Sequence, residues 1–177
     1  MKKINMYVAS MVLFVLILAC SSEKENMLAD IKQTEDSLFA DETKMIDRKL
    51  AGELVDKYVA YADAYPEDPQ TPQILFKAGD LSMNMNMSRK AIQIFDRVMN
   101  NYPDYEKTPQ CLFLKGYIYE NDLKDLKTAK QIYEDFLDKY PDDEFADDAE
   151  ISIKNLGKSP EELIREFEEK AKAEGAI

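Results

Sequence analysis

The chain has 177 residues, enough for one core-bearing domain, and its 35 acids outweigh 23 bases to give a net charge of −12. So acidic a polypeptide repels phosphate backbones and anionic headgroups, which argues against nucleic acid as a partner and against a basic face as a route to the membrane. Histidine is absent, and with it goes the commonest general base and metal ligand. No Gly-rich phosphate loop, Gly-x-Ser-x-Gly elbow or Cys-x-x-Cys pair occurs. These absences point away from an enzyme and imply no cofactor and no metal.

Residues 1–19 stand apart. Met1-Lys2-Lys3 is a positive start, Ile4 to Ala19 is almost wholly apolar, and Ile17-Leu18-Ala19-Cys20 leads into polar Ser21-Ser22. A charged start, an apolar centre and a small residue before the cut describe a secretory signal, and the apolar run falls short of the ~20 residues that span a bilayer. Cysteine directly after Ala19 resembles the bacterial lipobox. That resemblance implies removal of residues 1–19 and attachment of a diacylglycerol to Cys20. Two or three acyl chains hold a protein firmly where one binds marginally. Loss of Lys2 and Lys3 leaves the mature chain still more acidic, so the lipid on Cys20, and not charge, is the expected membrane contact. The other cysteine, Cys111, has no partner for an internal disulfide and reads as a small core hydrophobe beside Leu112.

Residues 20–42 read as the lipidated cysteine, a polar tether from Ser21 to about Asn26, and a weak helix. Its sparse stripe (Met27, Leu28, Ile31, Leu38, Phe39) is interrupted at Gln33-Thr34-Glu35-Asp36. Asp41 or Thr43 is placed to cap the following helix, with Asp47 and Glu53 facing solvent. In that helix Leu54, Tyr58, Tyr61, Ala62 and Tyr65 share one face, until Pro66 and Pro69 stop it.

Between Pro72 and Pro141 one unit is read twice. Leu75-Phe76 and Gly79 recur 37 residues later as Leu112-Phe113 and Gly116, while Ala91, Phe95 and Tyr102-Pro103 recur 38 later as Ala129, Tyr133 and Tyr140-Pro141. One residue has therefore been gained in the link between the halves of the unit. Repetition at this period marks a stacked solenoid. In each second half the apolar residues fall at 0, 3, 4, 7, 8 and 11 (Ala91, Ile94, Phe95, Val98, Met99, Tyr102, and their counterparts from Ala129 to Tyr140), which is one face of a helix and of no strand. Helices are predicted over 71–84, 88–102, 105–121 and 126–140, with Ser88 and Asp125 as N-caps. The alternating methionines from Met83 to Met87 are assigned to the turn between two of them.

Phe145 to Leu156 predicts another first helix, closed by Gly157. Ser159-Pro160-Glu161-Glu162 is a capping-box start for a last helix whose stripe is Leu163, Ile164, Phe167 and Ala171, expected to cover the open end of the stack. Asp142-Asp143-Glu144 and Asp147-Asp148-Glu150 surround a helix start, where the dipole favours them, and their spacing is not that of a calcium loop.

On Gly79, Ala91, Phe95 and Pro103, and again on Gly116, Tyr119, Ala129, Tyr133 and Pro141, the sequence resembles the tetratricopeptide repeat (TPR) family. The resemblance implies an all-α fold, a right-handed α-α superhelix of about two full repeats with degenerate flanking helices. On this reading residues 43–157 form the solenoid and 158–177 a C-terminal capping helix. It also implies a peptide-binding groove on the first helix of each unit: Gln73, Phe76, Asp80, Met83 and Asn84, then Gln110, Phe113, Tyr117, Glu120 and Asn121. Phe76 and Phe113 fit core as well as groove. A lipobox joined to a short TPR stack is similar to the outer-membrane assembly lipoproteins of the BamD type and to the periplasmic TPR partner of the Tol-Pal system. The implied role is a lipid-anchored adaptor for other proteins or peptides of the bacterial envelope, on the outer membrane facing the periplasm. The alternative is a carbohydrate-binding accessory lipoprotein, in which groove aromatics stack on sugars. The absence of Trp weighs against it.

Overall fold

The structure, a computed structural model, describes residues 22–41 and 45–173. The signal-like segment, Cys20 and Thr43 lie outside the described residues. Among those described, every regular element is an α-helix and there is no strand. In order they are α1 (22–38), α2 (Arg48–Ala64), α3 (Thr71–Asn84), α4 (Ser88–Asn101), α5 (Thr108–Asn121), α6 (Leu126–Lys139), α7 (Ala146–Asn155) and α8 (Pro160–Ala173). The four helices of the duplicated region are each 14 residues long, so the sequence repeat is also a repeat of helical hairpins. This is the expected all-α class of the TPR solenoids.

The chain forms two compact units, Met1–Ile94 and Phe95–Ile177, whose boundary falls within α4. In the first, α2 packs on α3. The stripe of α2 behaves as its spacing predicts: Leu54, Tyr61 and Ala62 are fully buried, and Leu75 and Ala78 of α3 join them inside. Gly52 sits in α2 with open space where a side chain would be. In the second unit α6 packs on both α5 and α7. Its core gathers Leu112, Ala129, Ile132, Tyr133, Phe136 and Ala149. Cys111 is fully buried, and burial pushes its thiol pKa up to about 12.

Repeated turns set these hairpins. After α2, α4 and α6 the backbone folds back identically: Asp68 N–H donates to Tyr65 O, Tyr105 to Tyr102 and Asp143 to Tyr140, at 3.1, 3.0 and 3.2 Å. Thr71 and Thr108 open the next helices, and their hydroxyls donate to the same tyrosine carbonyls at 2.6 and 2.9 Å. The third copy has Ala146 there and lacks that bond. The gained residue lies between α5 and α6, where four residues replace the three between α3 and α4. The shorter turn is a Schellman motif: Asn86 is left-handed at φ 57°, with Met87 N–H on Ser82 O and Asn86 N–H on Met83 O. The longer one places Lys124 at φ 56° instead.

Caps follow the sequence in part. Asp125 accepts from the Thr128 amide at 3.1 Å and from its hydroxyl at 2.7 Å. Ser159 and Glu162 form the expected reciprocal box, and Gly157 is left-handed at φ 77°. The cap of α2 is Asp47, not Asp41 or Thr43; its carboxylate takes the amides of Lys49 and Leu50. Ser88 is the first helical residue of α4, because Ala91 N–H already bonds Met87 O. α5 starts at Thr108, three residues later than predicted, since 105–107 belong to the repeated turn.

The two ends depart most from expectation. α1 is one continuous helix that takes in 22–26, read as tether from sequence. Thr34 does not interrupt it: its hydroxyl bonds Asp30 O at 2.7 Å, and it is buried with Ile31 and Leu38. At the other end α8 buries no residue, and Phe167 is 74% exposed, so the capping role expected of its stripe is not realised. When Leu163 and Phe167 are set on Ala129 and Tyr133, Glu166 and Lys170 take the places of Ile132 and Phe136. Such a stripe is too narrow to drive burial.

Candidate functional site

The sequence-predicted groove residues do not all come to one surface. On α3, Gln73 is exposed, but Phe76 is turned inward at 8% exposure, which resolves its dual reading as core. Asp80 and Asn84 lie one turn apart, and the Asn84 amide bonds both the Asp80 carbonyl and its carboxylate, at 3.0 and 3.3 Å. On α5, Phe113 is half-buried in an aromatic cluster, stacked on Phe145 at 5.0 Å and tilted on Tyr133 at 5.6 Å. Glu120 accepts from the Tyr133 hydroxyl at 2.9 Å, and burial with this bond raises the phenol pKa. Asn121 closes the end of α5 by bonding Tyr117 O at 3.1 Å, as Asn84 does on α3. Phe113 and Glu120 thus pack and bond within their own unit, while Tyr117, 44% exposed, and Asn121 lie at the surface. Gln110 lines a polar cleft of about 510 Å³ with Glu106, Lys107, Asp143, Glu144 and Phe145.

The concave site with an apolar wall lies in the first unit. A pocket of about 610 Å³ is lined by Glu35 and Phe39 from the end of α1, Ile46 ahead of α2, Tyr58 of α2, and Lys77, Asp80, Leu81, Asn84 and Met85 along and after α3. Phe39 and Ile46 are 51% and 38% exposed, so apolar surface is presented at its mouth. The wall is fixed by polar bonds. Glu35 accepts from the Tyr58 hydroxyl at 2.6 Å and from Lys77 at 2.8 Å. Partial burial would raise the Glu35 pKa, but the bonds from Lys77 and Tyr58 outweigh it and leave the carboxyl below its ordinary value. Burial first, and then the Glu35 bond, drives the Tyr58 phenol pKa far up. Arg48 donates to Met85 O at 2.6 Å and ties the start of α2 to the far rim.

Asp80 and Asn84, placed on the groove from sequence, line this pocket, while Glu35, Phe39, Ile46, Tyr58 and Lys77 line it without having been placed there. The missed signal is local: Thr34, Glu35 and Leu38 lie 3, 4 and 7 residues after Ile31 and continue its stripe, once a buried threonine that bonds its own helix is allowed as an interior position.

Residues 73–105 and 110–143 each match the family model for the tetratricopeptide repeat. Both stretches are thus similar to TPR repeats, arranged in tandem. Their bounds coincide with α3–α4 and α5–α6, each with its Tyr-Pro turn. No curated protein matches the chain. TPR domains generally act as protein-interaction scaffolds, and the two matched repeats suggest that general role. In the first unit Glu35 of α1 pairs with Lys77 of α3 and accepts from Tyr58 of α2, which packs on α3. The α1–α2 pair thus precedes the first matched repeat in the position of a further hairpin. Among the described residues no helix is long and apolar enough to cross a membrane, and no three acids or cysteines converge as a metal site.

Proposed function

We propose that this TPR protein is a lipid-anchored adaptor of the bacterial envelope that binds a peptide segment of a partner in the pocket between α1, α2 and α3. The observation that carries the reading is the pairing of exposed Phe39 and Ile46 with a fixed polar wall of Glu35, Lys77, Asp80 and Asn84 around about 610 Å³. Apolar anchors beside orienting polar groups are what a peptide site needs. The polar rim of Asp80 and Asn84 is suited to orienting a bound peptide, and Phe39, Leu81 and Met85 to receiving an inserted apolar side chain. Support for the anchor comes from the lipobox-like run Leu18-Ala19-Cys20 behind an apolar leader. The envelope location, on the outer membrane facing the periplasm, rests on that run and on the likeness to BamD-type and Tol-Pal-associated lipoproteins.

Two experiments test the two halves. Mass analysis of the N-terminal peptide from a bacterial membrane fraction reads the anchor: acylated Cys20 supports it, and an unmodified cysteine or an intact residue 1 sinks it. Peptide selection against the soluble domain, followed by calorimetry with Phe39→Ala, reads the pocket; loss of an exposed aromatic anchor should weaken binding about 10-fold or more.

A further inference from the structure

We infer that the protein stands on the membrane by its α1–α3 edge. In this posture the first turn of α1 and the Tyr65–Gln70 turn face the headgroups, and the pocket is held at the opposite end of α1. The inference rests on the proposed acylation of Cys20 and adds to it a fixed posture.

The chain leaves no room for a swinging linker. α1 is helical from residue 22, and two residues of chain reach at most about 7 Å. Nor is α1 loose on its unit. Lys24, in its first turn, pairs with Asp68 of the turn between α2 and α3. Further along, Lys57 of α2 pairs with Asp30 at 2.7 Å, and Lys77 of α3 pairs with Glu35 at 2.8 Å. Buried Ile31, Thr34 and Leu38 add apolar contact on the same side. Holding Cys20 at the bilayer therefore holds the Asp68 turn close to it.

The same helix sets the distance of the pocket. Glu35 and Phe39 come 13 and 17 residues after the start of α1, or about 20–25 Å at 1.5 Å per residue. An upright unit offers the pocket to a partner beyond the lipid.

Cys111 makes the test simple, because a fully buried thiol with a pKa near 12 stays silent to maleimide. Glu67→Cys, on the exposed turn, and Arg89→Cys, exposed just past the Met85 end, are labelled with a fluorophore in the full acylated protein. Each is reconstituted into phosphatidylcholine–phosphatidylglycerol vesicles carrying a headgroup nitroxide quencher. Vesicle flotation first confirms anchoring, so failure to float counts against acylation and not against posture. Among floated proteins, several-fold stronger quenching at position 67 than at 89 is expected. A Gly-Ser insertion of five residues after Ser21 should then relieve the quenching at 67. Equal quenching at both positions would show a prone protein, quenching at neither a free tether, and indifference to the insertion a contact not set by the anchor. Any of these overturns the inference.

Discussion

Alanine at Gly52 should stabilise the fold, while alanine at Gly116 should not, although both glycines lie inside helices. The helix-propensity gain is common to the two and amounts to ~1 kcal/mol. At Gly52 nothing lies within 4 Å of the added methyl, so the gain is kept. At Gly116 the methyl would sit 2.7 Å from Tyr133 Cε1 and 2.9 Å from Cδ1. The ring has nowhere to retreat: Tyr133 is fully buried, its hydroxyl is held by Glu120 at 2.9 Å, and Phe113 packs against it at 5.6 Å. Overpacking of this kind typically costs ~1–3 kcal/mol, enough to cancel or reverse the propensity gain. The two variants should therefore differ by ~1–3 kcal/mol, with Gly52→Ala the more stable. Urea titration followed by helical circular dichroism at unchanged slope reads the difference. Equal stabilisation by both substitutions would refute the close approach of α5 and α6 at Gly116.

Removing the Asp125 cap with Asp125→Ala should lower the denaturation midpoint in the same assay, because the Thr128 amide loses its acceptor. Glu35 supplies a pH signature. Its carboxyl pKa is depressed on folding, so its contribution is complete above the ordinary carboxylate range and is lost as pH falls through the lower folded value. The acid limb of stability against pH should accordingly flatten in Glu35→Gln. Truncation after Lys158 should leave the denaturation midpoint nearly unchanged, because α8 buries no residue; a large loss would mean that its stripe is covered after all. Iodoacetamide at neutral pH should leave Cys111 unmodified in the native protein and alkylate it in denaturant, as mass spectrometry would show.

The duplicated hairpins were legible because their information is local and repeated. The stripe of apolar residues from Ala129 to Tyr140, the Asp125 cap and the single gained residue between α5 and α6 can each be read without knowing what lies opposite. The ends were harder because their burial depends on partners distant in sequence. Thr34 looks like a break until Lys57 and the core beneath it are known, and Phe167 looks like a hub until the charges at Glu166 and Lys170 narrow its stripe. Groove positions read from helical spacing divide between the interior and the surface. Helical spacing puts Phe76 and Asp80 on neighbouring positions of one helix, but a small angular difference sends Phe76 into the core and leaves Asp80 at the pocket. Phe113, Glu120 and Asn121 follow the same rule, engaged by Phe145, Tyr133 and Tyr117 O, contacts that the repeat pattern alone does not specify.

The most direct test of the adaptor reading is calorimetry of a selected peptide against the wild-type domain, a Phe39→Ala/Ile46→Ala double variant and a Phe167→Ala control. Binding weakened at least about 10-fold by the double variant alone, with all three proteins melting alike, is the predicted result. Equal affinity for all three would place recognition elsewhere on the chain and contradict the account.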